Sequence, residues 1–392
     1  MDAFEALLRL QHAAGNPAWL RLALDHHAVE SGHNAALSLL ESPPGAAPGH
    51  TLPPGIAKAA AGRAAIEHAA RVRQWLDGGA ARSVLGWADP GYPSLLRQAA
   101  SPPVVLFVEG QAERLWWPQI AIVGSRAPTP AGRERAARWA ARFGAAGFVV
   151  TSGMATGIDA AAHGACLAAP GTVAVMATGP DRCYPTAHAG LKEAITREGC
   201  LVTEHAPGVD PRPEHFPSRN RLIAGLSLAT VVVEAAHRSG ALITARLAAE
   251  AGRDVFALPG SPENPKARGC HRLIRDGAVL ADDPDQVLDA VLGAAAEAGG
   301  QLRLALQPAT GPFDAHAVGS RTDDDATRRV LEALGDDGAD IDELFGRCGL
   351  TSPSLAPILL ALEMDGRLTQ HHGRYLPCSS APPTRAHSGR RR

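Results

Sequence analysis

A doubly wound α/β fold is what this sequence predicts, and three observations carry that expectation. Short continuous apolar runs, such as residues 120–123 and 229–233, recur through the middle of the chain. Runs without polar alternation are the mark of strands buried on both faces of a mostly parallel sheet. Each run is followed by a loop and then a helical segment, the alternation of β–α–β units. The unusual loops all come after strands, so they should converge on one edge of the sheet, where folds of this class bind ligands.

Taken in order, residues 1–78 read as helices: FEALLRL, PAWLRLALDHH and a longer stretch over 56–76 that ends at Gly78-Gly79. The Pro- and Gly-rich segment 42–55 is a loop. This is a small helical accessory domain, and its His12, His26, His27 and His33 lack metal-ligand spacing and read as solvated surface. Residues 79–118 are a connector with a turn at Asp89-Pro90-Gly91-Tyr92-Pro93 and a short strand over 104–108. The main domain spans 119–292. Its strand over 120–123 leads to Gly124-Ser125-Arg126, and the strand over 148–151 to Ser152-Gly153-Met154-Ala155-Thr156-Gly157. The strand over 172–176 leads to a loop ending Arg182-Cys183-Tyr184-Pro185. Glu204 ends the strand over 200–203, Glu234 ends 229–233, and a loop with Arg238-Ser239-Gly240 opens the next helix. Strands over 255–258 and 278–281 close the domain. An Ala-, Gly- and Pro-rich linker covers 293–322. Residues 323–376 then read as helices over 326–334, 341–348 and 354–365 with a hairpin over 368–376. The tail 377–392 reads as disordered and ends in three arginines.

Composition narrows the function. The chain has 392 residues, 45% hydrophobic and 4% aromatic, with a net charge of −2, so any basic surface must be local. No apolar run reaches the roughly twenty residues that span a bilayer. Six cysteines are scattered with no Cys-x-x-Cys pair, which fits a reducing cytoplasm and argues against a zinc or disulfide framework. Neither a metal nor a cofactor is expected.

The loops suggest an anion-binding edge. Gly153 and Gly157 allow close backbone approach, and the helix after them directs free N–H groups at a ligand; plain tight turns are the other reading. VGSRAPTPAG is not a dinucleotide fingerprint, and no Gly-Lys-Ser/Thr string exists for a nucleotide-driven motor. Residues 212–275 hold ten basic against five acidic side chains. Arg126, Arg219 and Arg221 are expected in strand-end loops, where a guanidinium fork suits phosphate. Asp159 and His163, four apart on one helix, could be an acid–base pair, but an acid in a first helical turn more simply complements the helix N-terminus. No nucleophile sits in a recognisable elbow. Binding is therefore favoured over catalysis, and no catalytic residue is assigned.

The ordered motifs VGSRAPTPAG, SGMATGIDAAAH, TGPDRCYP, FPSRNRLIAGLS, EAAHRSGALITA and GRDVFALPGS resemble the DNA-processing protein A family, also called Smf, over residues 85–292. The resemblance implies a Rossmann-like protein that binds single-stranded DNA, dimerises and loads the RecA recombinase on incoming strands in natural transformation. It implies DNA contact by Arg126, and the candidate DNA-binding set becomes Arg126, Gly153, Gly157, Arg182, Arg219, Arg221 and Arg238. Two positions depart from the family, Thr156 and Thr186, where a basic residue is frequent; Arg182 lies close enough to compensate. The C-terminal pattern resembles a winged helix. Residues 323–376 carry eleven acids against five arginines, so a protein contact suits that surface better than phosphate.

Dimerisation is expected along the last strand. The segment with His271, Ile274 and Leu280 leads into a candidate sheet edge, which a two-fold partner would cover; packing of Ile274 and Leu280 into their own core is the alternative. A rival function is nucleotide hydrolysis by a phosphoribohydrolase-like enzyme on a related core. The P-G-G-x-G-T-x-x-E pattern of that group is absent from the stretch after Glu234.

Overall fold

The central sheet is built from β1 (Arg82–Gly86), β2 (Val105–Gly110), β3 (Gln119–Val123), β4 (Val149–Ser152), β5 (Thr172–Val175), β6 (Cys200–Thr203), β7 (Ala229–Val232), β8 (Asp254–Ala257) and β9 (Val279–Leu280). The computed structural model describes residues 1–14, 17–31, 35–41, 52–167 and 171–293. Beyond these it describes 330, 333–334, 339–340, 343–344, 347, 368–371 and 374–377. Strand order is β1-β2-β6-β5-β4-β3-β7-β8-β9. The strands from β6 to β9 along this order are parallel, and β2 joins both β1 and β6 antiparallel. The doubly wound, mostly parallel α/β sheet predicted from the apolar runs is thus present.

Alternation along each strand assigns its two faces. Ala121, Val123, Val149, Val173, Val175, Val202 and Val232 join one core, and Ile120, Ile122, Val150, Val231, Val233 and Phe256 join the other. The second core is covered by α7 (Pro130–Ala145), α8 (Ile158–Ala165) and helical residues 284–293. Trp139 and Phe143 of α7 are fully buried there. The first core is covered by α10 (His215–Leu226), α11 (Ala241–Glu250) and α12 (Arg268–Arg275). A smaller cluster places Ile195 of α9 (Ala189–Glu198) against Ala174 and Leu201.

The first 118 residues are more closely tied to the sheet than their sequence suggests. Helices α1 (Ala3–Ala13), α2 (Pro17–Ser31), α3 (Ala35–Glu41), α4 (Pro54–Ala60) and α5 (Arg63–Asp77) precede β1. Leu8, Leu10, Leu20, Val72 and Trp75 share the first core with the β2 residues Leu106–Val108. The expected helix over 56–76 is two helices, broken at Gly62, which is the N-cap of α5. Residues 42–51 of the expected loop lie outside the described residues, as do His33 and the side chains of His26 and His27. The connector 79–118 supplies β1 and β2, so the sheet begins at Arg82 and not at 119. Its turn is anchored by short α6 (Ser94–Arg97), by Tyr92 donating to Pro103 O at 2.7 Å and by Trp87 Nε1 donating to Asp25 at 2.6 Å. No described helix is long and apolar enough to cross a membrane.

Residues 308–392 form a separate unit. Within it β10 (Ala339–Asp340), β11 (Leu368–His371) and β12 (Arg374–Pro377) make a three-stranded antiparallel sheet in the order β10-β12-β11, the last two forming the expected hairpin. Val330, Ala333, Leu334, Glu343, Leu344 and Arg347 are helical. The expected helix over 354–365, the linker 294–322 and the tail 378–392 lie outside the described residues.

Candidate functional site

After β3 the chain moves outward through β4, β5 and β6, then returns to place β7 on the other side of β3. The loops leaving β3 and β7 therefore diverge and open a crevice, the switch point of a doubly wound sheet. A cleft of about 800 Å³ occupies it, lined by Ser125, Arg126, Phe216, Asn220, Arg238 and Thr244 among others. Glu234, just beyond β7, is buried; its carboxylate accepts from Thr129 N at 2.9 Å and Thr129 Oγ1 at 2.5 Å. Thr129 in turn caps α7 by accepting from Gly132 N. Ile158 N donates to Ser125 O at 3.2 Å, and Thr156 Oγ1 donates to Arg126 O at 3.1 Å. The backbone of the Gly-Ser-Arg loop is held by the Thr156–Ile158 segment, and Glu234 fixes Thr129 just after it, while the Arg126 side chain stays exposed.

Beside Arg126 lies a pair of rings that the sequence reading did not single out. The Arg126 guanidinium is 5.5 Å from the Phe216 centroid, and the Phe216 and Tyr184 rings meet at 5.3 Å. Tyr184 is 45% exposed. A cation over a ring is worth roughly 0.5–1 kcal/mol at an exposed site, and exposed rings beside cations are what unstacked bases use. The available signal was positional: in an aromatic-poor chain, one aromatic stands in the loop after β5 and the other in the first turn of α10.

The glycine-rich loop is closed around an internal anion. Asp159, 6% exposed, accepts from Gly153 N at 3.2 Å and Ala155 N at 3.3 Å, and Met154 N donates to His163 Nε2 at 3.3 Å. Gly153 is buried, and a Cβ there would lie 2.6 Å from the Arg219 guanidinium. Gly157 has φ +89°, and a Cβ would lie 2.4 Å from Ser125 O. Both glycines are required by close packing, and the amide of Gly153 is already engaged. The expected anion cradle is filled by the protein's own carboxylate. His163 is fully buried, with its Nδ1 2.7 Å from Thr172 Oγ1. Because Nε2 accepts from Met154 N, the proton belongs on Nδ1 and the ring is neutral. Burial and the Arg219 charge push its pKa down to about 3. Burial raises that of Asp159. The pair is structural, not an acid–base couple.

The arginines divide into two groups. Arg126 and Arg238 are exposed and line the cleft. Arg219 and Arg221 are not in a loop but on α10. Arg219 is 4% exposed and donates from Nη1 to Gly153 O at 2.6 Å and to Val175 O. Burial pulls its pKa down to about 10, which keeps it charged opposite Asp159 at neutral pH. Arg221 pairs with Glu204 and lines a different, small cavity with Leu20 and Val105. Arg182 is exposed near Asp181 (3.6 Å) and Asp210 (3.3 Å), and Thr186 is exposed beside it in the chain. On the other side of the sheet, His271 Nε2 lies 3.0 Å from Gly260 O, Ile274 packs against the core, and Leu280 is 47% exposed. Cys166, Cys183, Cys200 and Cys270 are free thiols, and no cluster of metal-ligating side chains occurs among the described residues.

The buried imidazole gives a pH signature. His163 in the folded chain resists protonation until about pH 3, whereas in the unfolded chain it takes up a proton near its ordinary 6.5. Below pH 6.5 the unfolded state therefore binds the extra proton, and stability falls by about 1.4 kcal/mol per pH unit from this group. Urea midpoints should hold steady from pH 8 to 7 and drop below 6.5, with a shallower drop in His163→Asn. Equal slopes in the two proteins would place the acid sensitivity elsewhere.

The family model of the DNA recombination-mediator protein A matches residues 83–292, and a model of the DprA winged helix domain matches residues 315–374. A Synechocystis protein, Protein Smf, is 45% identical over 215 residues, which is 53% of this chain and 53% of that protein. Protein Smf of Escherichia coli is 36% identical over 287 residues, covering 73% of this chain and 74% of the relative. The X-ray structure of DNA processing protein A from Streptococcus pneumoniae matches 74% of this chain and 98% of its own, with a TM-score of 0.59 at 33% identity. The Helicobacter pylori protein, whose structure concerns a single-stranded DNA binding mode, matches 54% of this chain and 96% of its own, with a TM-score of 0.50 at 27% identity. With one family model over residues 83–292, a winged-helix model over 315–374 and a relative 36% identical over 287 residues, the chain belongs to the DNA recombination-mediator protein A (DprA/Smf) family.

Proposed function

We propose that this chain binds single-stranded DNA in the cleft between β3 and β7, without turning over a nucleotide, and delivers the strand to the RecA recombinase as a cytoplasmic homodimer. The observation that carries the DNA reading is the exposed pair Arg126 and Arg238 across one cleft, with Phe216 and Tyr184 beside Arg126. Cations that follow a backbone next to rings that accept bases are the recurring device for single strands. The Helicobacter relative's single-strand mode and the family's mediator role support it. The free thiols fit a reducing compartment. RecA delivery and pairing rest on family membership, and the exposed edge β9 offers a surface for the second copy. Direct phosphate contact is assigned to Arg126 and Arg238, with Arg182 next to the Tyr184 loop; Gly157, Gly153 and Arg219 shape the site from behind, and Arg221 faces a separate cavity with Glu204.

Arg126→Ala tests this. Arg126 is exposed, so the fold should be unaffected, while affinity for an oligothymidine falls and the salt slope drops by about 0.7, the value for one phosphate contact on a single strand. Unchanged affinity and slope would remove that loop from the interface. Steady release of base or phosphate from a nucleotide, abolished by a substitution in this cleft, would favour the hydrolase reading instead.

A further inference from the structure

A second cleft opens at the same edge of the sheet, between helices α1 and α5 and the loop after β6. It measures about 380 Å³ and is lined by His12, His68, Arg71, Glu204 and His205, with the backbone of Pro207–Val209. That volume falls in the range of small-ligand sites. Three of its lining side chains are imidazole rings: His12 and His68 meet at 4.9 Å, and His205 stacks at 4.0 Å on His215, which lies behind it. His68 Nε2 is tied to Gln11 Oε1 at 2.9 Å, whereas His205 Nε2 is buried without a hydrogen-bond partner among the described residues. The Glu204 carboxylate is paired with Arg221. Arg71 is exposed and forms no ion pair among the described residues, and its stem lies against Gly208.

The two clefts are linked through adjacent residues at the start of α10, by two separate ring pairs. Arg126 covers Phe216, Phe216 meets Tyr184, the neighbouring residue His215 stacks on His205, and His205 lines the second cleft. Burial and neighbouring charge hold His68 and His205 down to about 4, so at neutral pH both offer uncharged ring faces rather than cations. The one unpaired cation of the wall is Arg71. Neutral rings with one free guanidinium match a base with its phosphate.

We propose that this cleft is a second nucleic-acid subsite, taking one nucleotide of the strand that passes Phe216 from the Arg126 cleft, so that helices α1 and α5 form part of the DNA path. The proposal rests on the single-strand reading of the first cleft. Its test uses the full chain, wild type and Arg71→Glu, with a fluorescent oligothymidine series from about 4 to 16 nucleotides, the range of single-strand site sizes. Thermal melts check that the variant is folded. His205→Leu is the second probe, since it keeps bulk and removes the ring.

The expected result is a length-dependent loss: short strands bind the variants as they bind wild type, and long ones lose roughly fivefold or more, the low end for one stacked base. Iodouridine photocrosslinks from the long strand should fall on α1 or α5. Equal losses at every length, or none, overturn the subsite. If free thymidine monophosphate saturates a site sensitive to Arg71→Glu while strand length has no effect, the cleft takes an effector and the strand path is wrong. If wild type binds no oligonucleotide of any length, the reading of the first cleft fails and this one with it; intact binding with Arg71-insensitive length dependence sinks only the second.

Discussion

Arg219→Ala is expected to destabilise the fold by about 3–5 kcal/mol, the range for leaving a buried charge without the opposite charge near it. The side chain is 4% exposed and its Nη1 donates to two carbonyls, Gly153 O and Val175 O, at the ends of β4 and β5. Removing it leaves those oxygens without their donor and leaves the buried Asp159 carboxylate without its cation. An uncompensated buried charge is the larger of the two penalties. Arg219→Lys should recover part of the loss, because both carbonyls are met by the single nitrogen Nη1, whose two bonds an ammonium can make but from a shorter stem. Arg219→Ala combined with Asp159→Asn should be less destabilised than the sum of the single changes, since they share one interaction. Arg126→Ala, on the exposed side of the same cleft, should stay within about 0.5 kcal/mol of wild type. Urea unfolding of these four and of Asp159→Asn alone measures the differences. An Arg219→Ala protein that unfolds at the wild-type midpoint but loses DNA binding would restore a direct phosphate contact and refute the buried role.

That contrast shows where sequence reasoning stopped. The parallel sheet was legible because unbroken apolar runs such as ATVVV have few other homes. The helix holding Arg219 was not, because FPSRNRL carries Pro217 and reads as a loop. Pro217 is the third residue of α10, within the first turn, whose N–H groups have no intrahelical partner to lose. The strand β1 was equally hidden. RSVLG is short and of mixed polarity, and only pairing with β2 makes it a strand. The glycine loop carried its own warning: Asp159 stands in the first turn of α8, where a carboxylate competes for the same amides as an external phosphate. A local charge count also could not separate Arg219, which is buried, from Arg126 and Arg238, which are not. Phe216 and Tyr184 lie 32 residues apart in the chain and meet only through the sheet edge.

On the reading that two copies pair along β9, Val279→Lys combined with Leu280→Asp should yield a folded monomer whose affinity for long strands falls by about a hundredfold, the low end of the gain from linking two sites. The pair β9–β8 is only two residues long, with Phe256 opposite Val279 and Ala257 opposite Leu280, and among the described residues the outer edge of β9 has no strand beside it. Val279 and Leu280 are 50% and 47% exposed, so replacing them creates no cavity and should leave the urea midpoint within about 0.5 kcal/mol. Ile274 is a poorer probe than the sequence suggested. It packs against the core, and Ile274→Glu would confuse unfolding with dissociation. An apolar edge strand left uncovered invites pairing, and an identical patch on a second copy covers it with closed symmetry. Pairing would bring two Arg126 clefts onto one strand, so affinity for a strand too short to reach both should not change. Light scattering and oligonucleotide titrations at two lengths decide the matter. A double variant that remains a dimer places the interface elsewhere, and a monomer that binds long strands as tightly as wild type removes avidity from the mechanism.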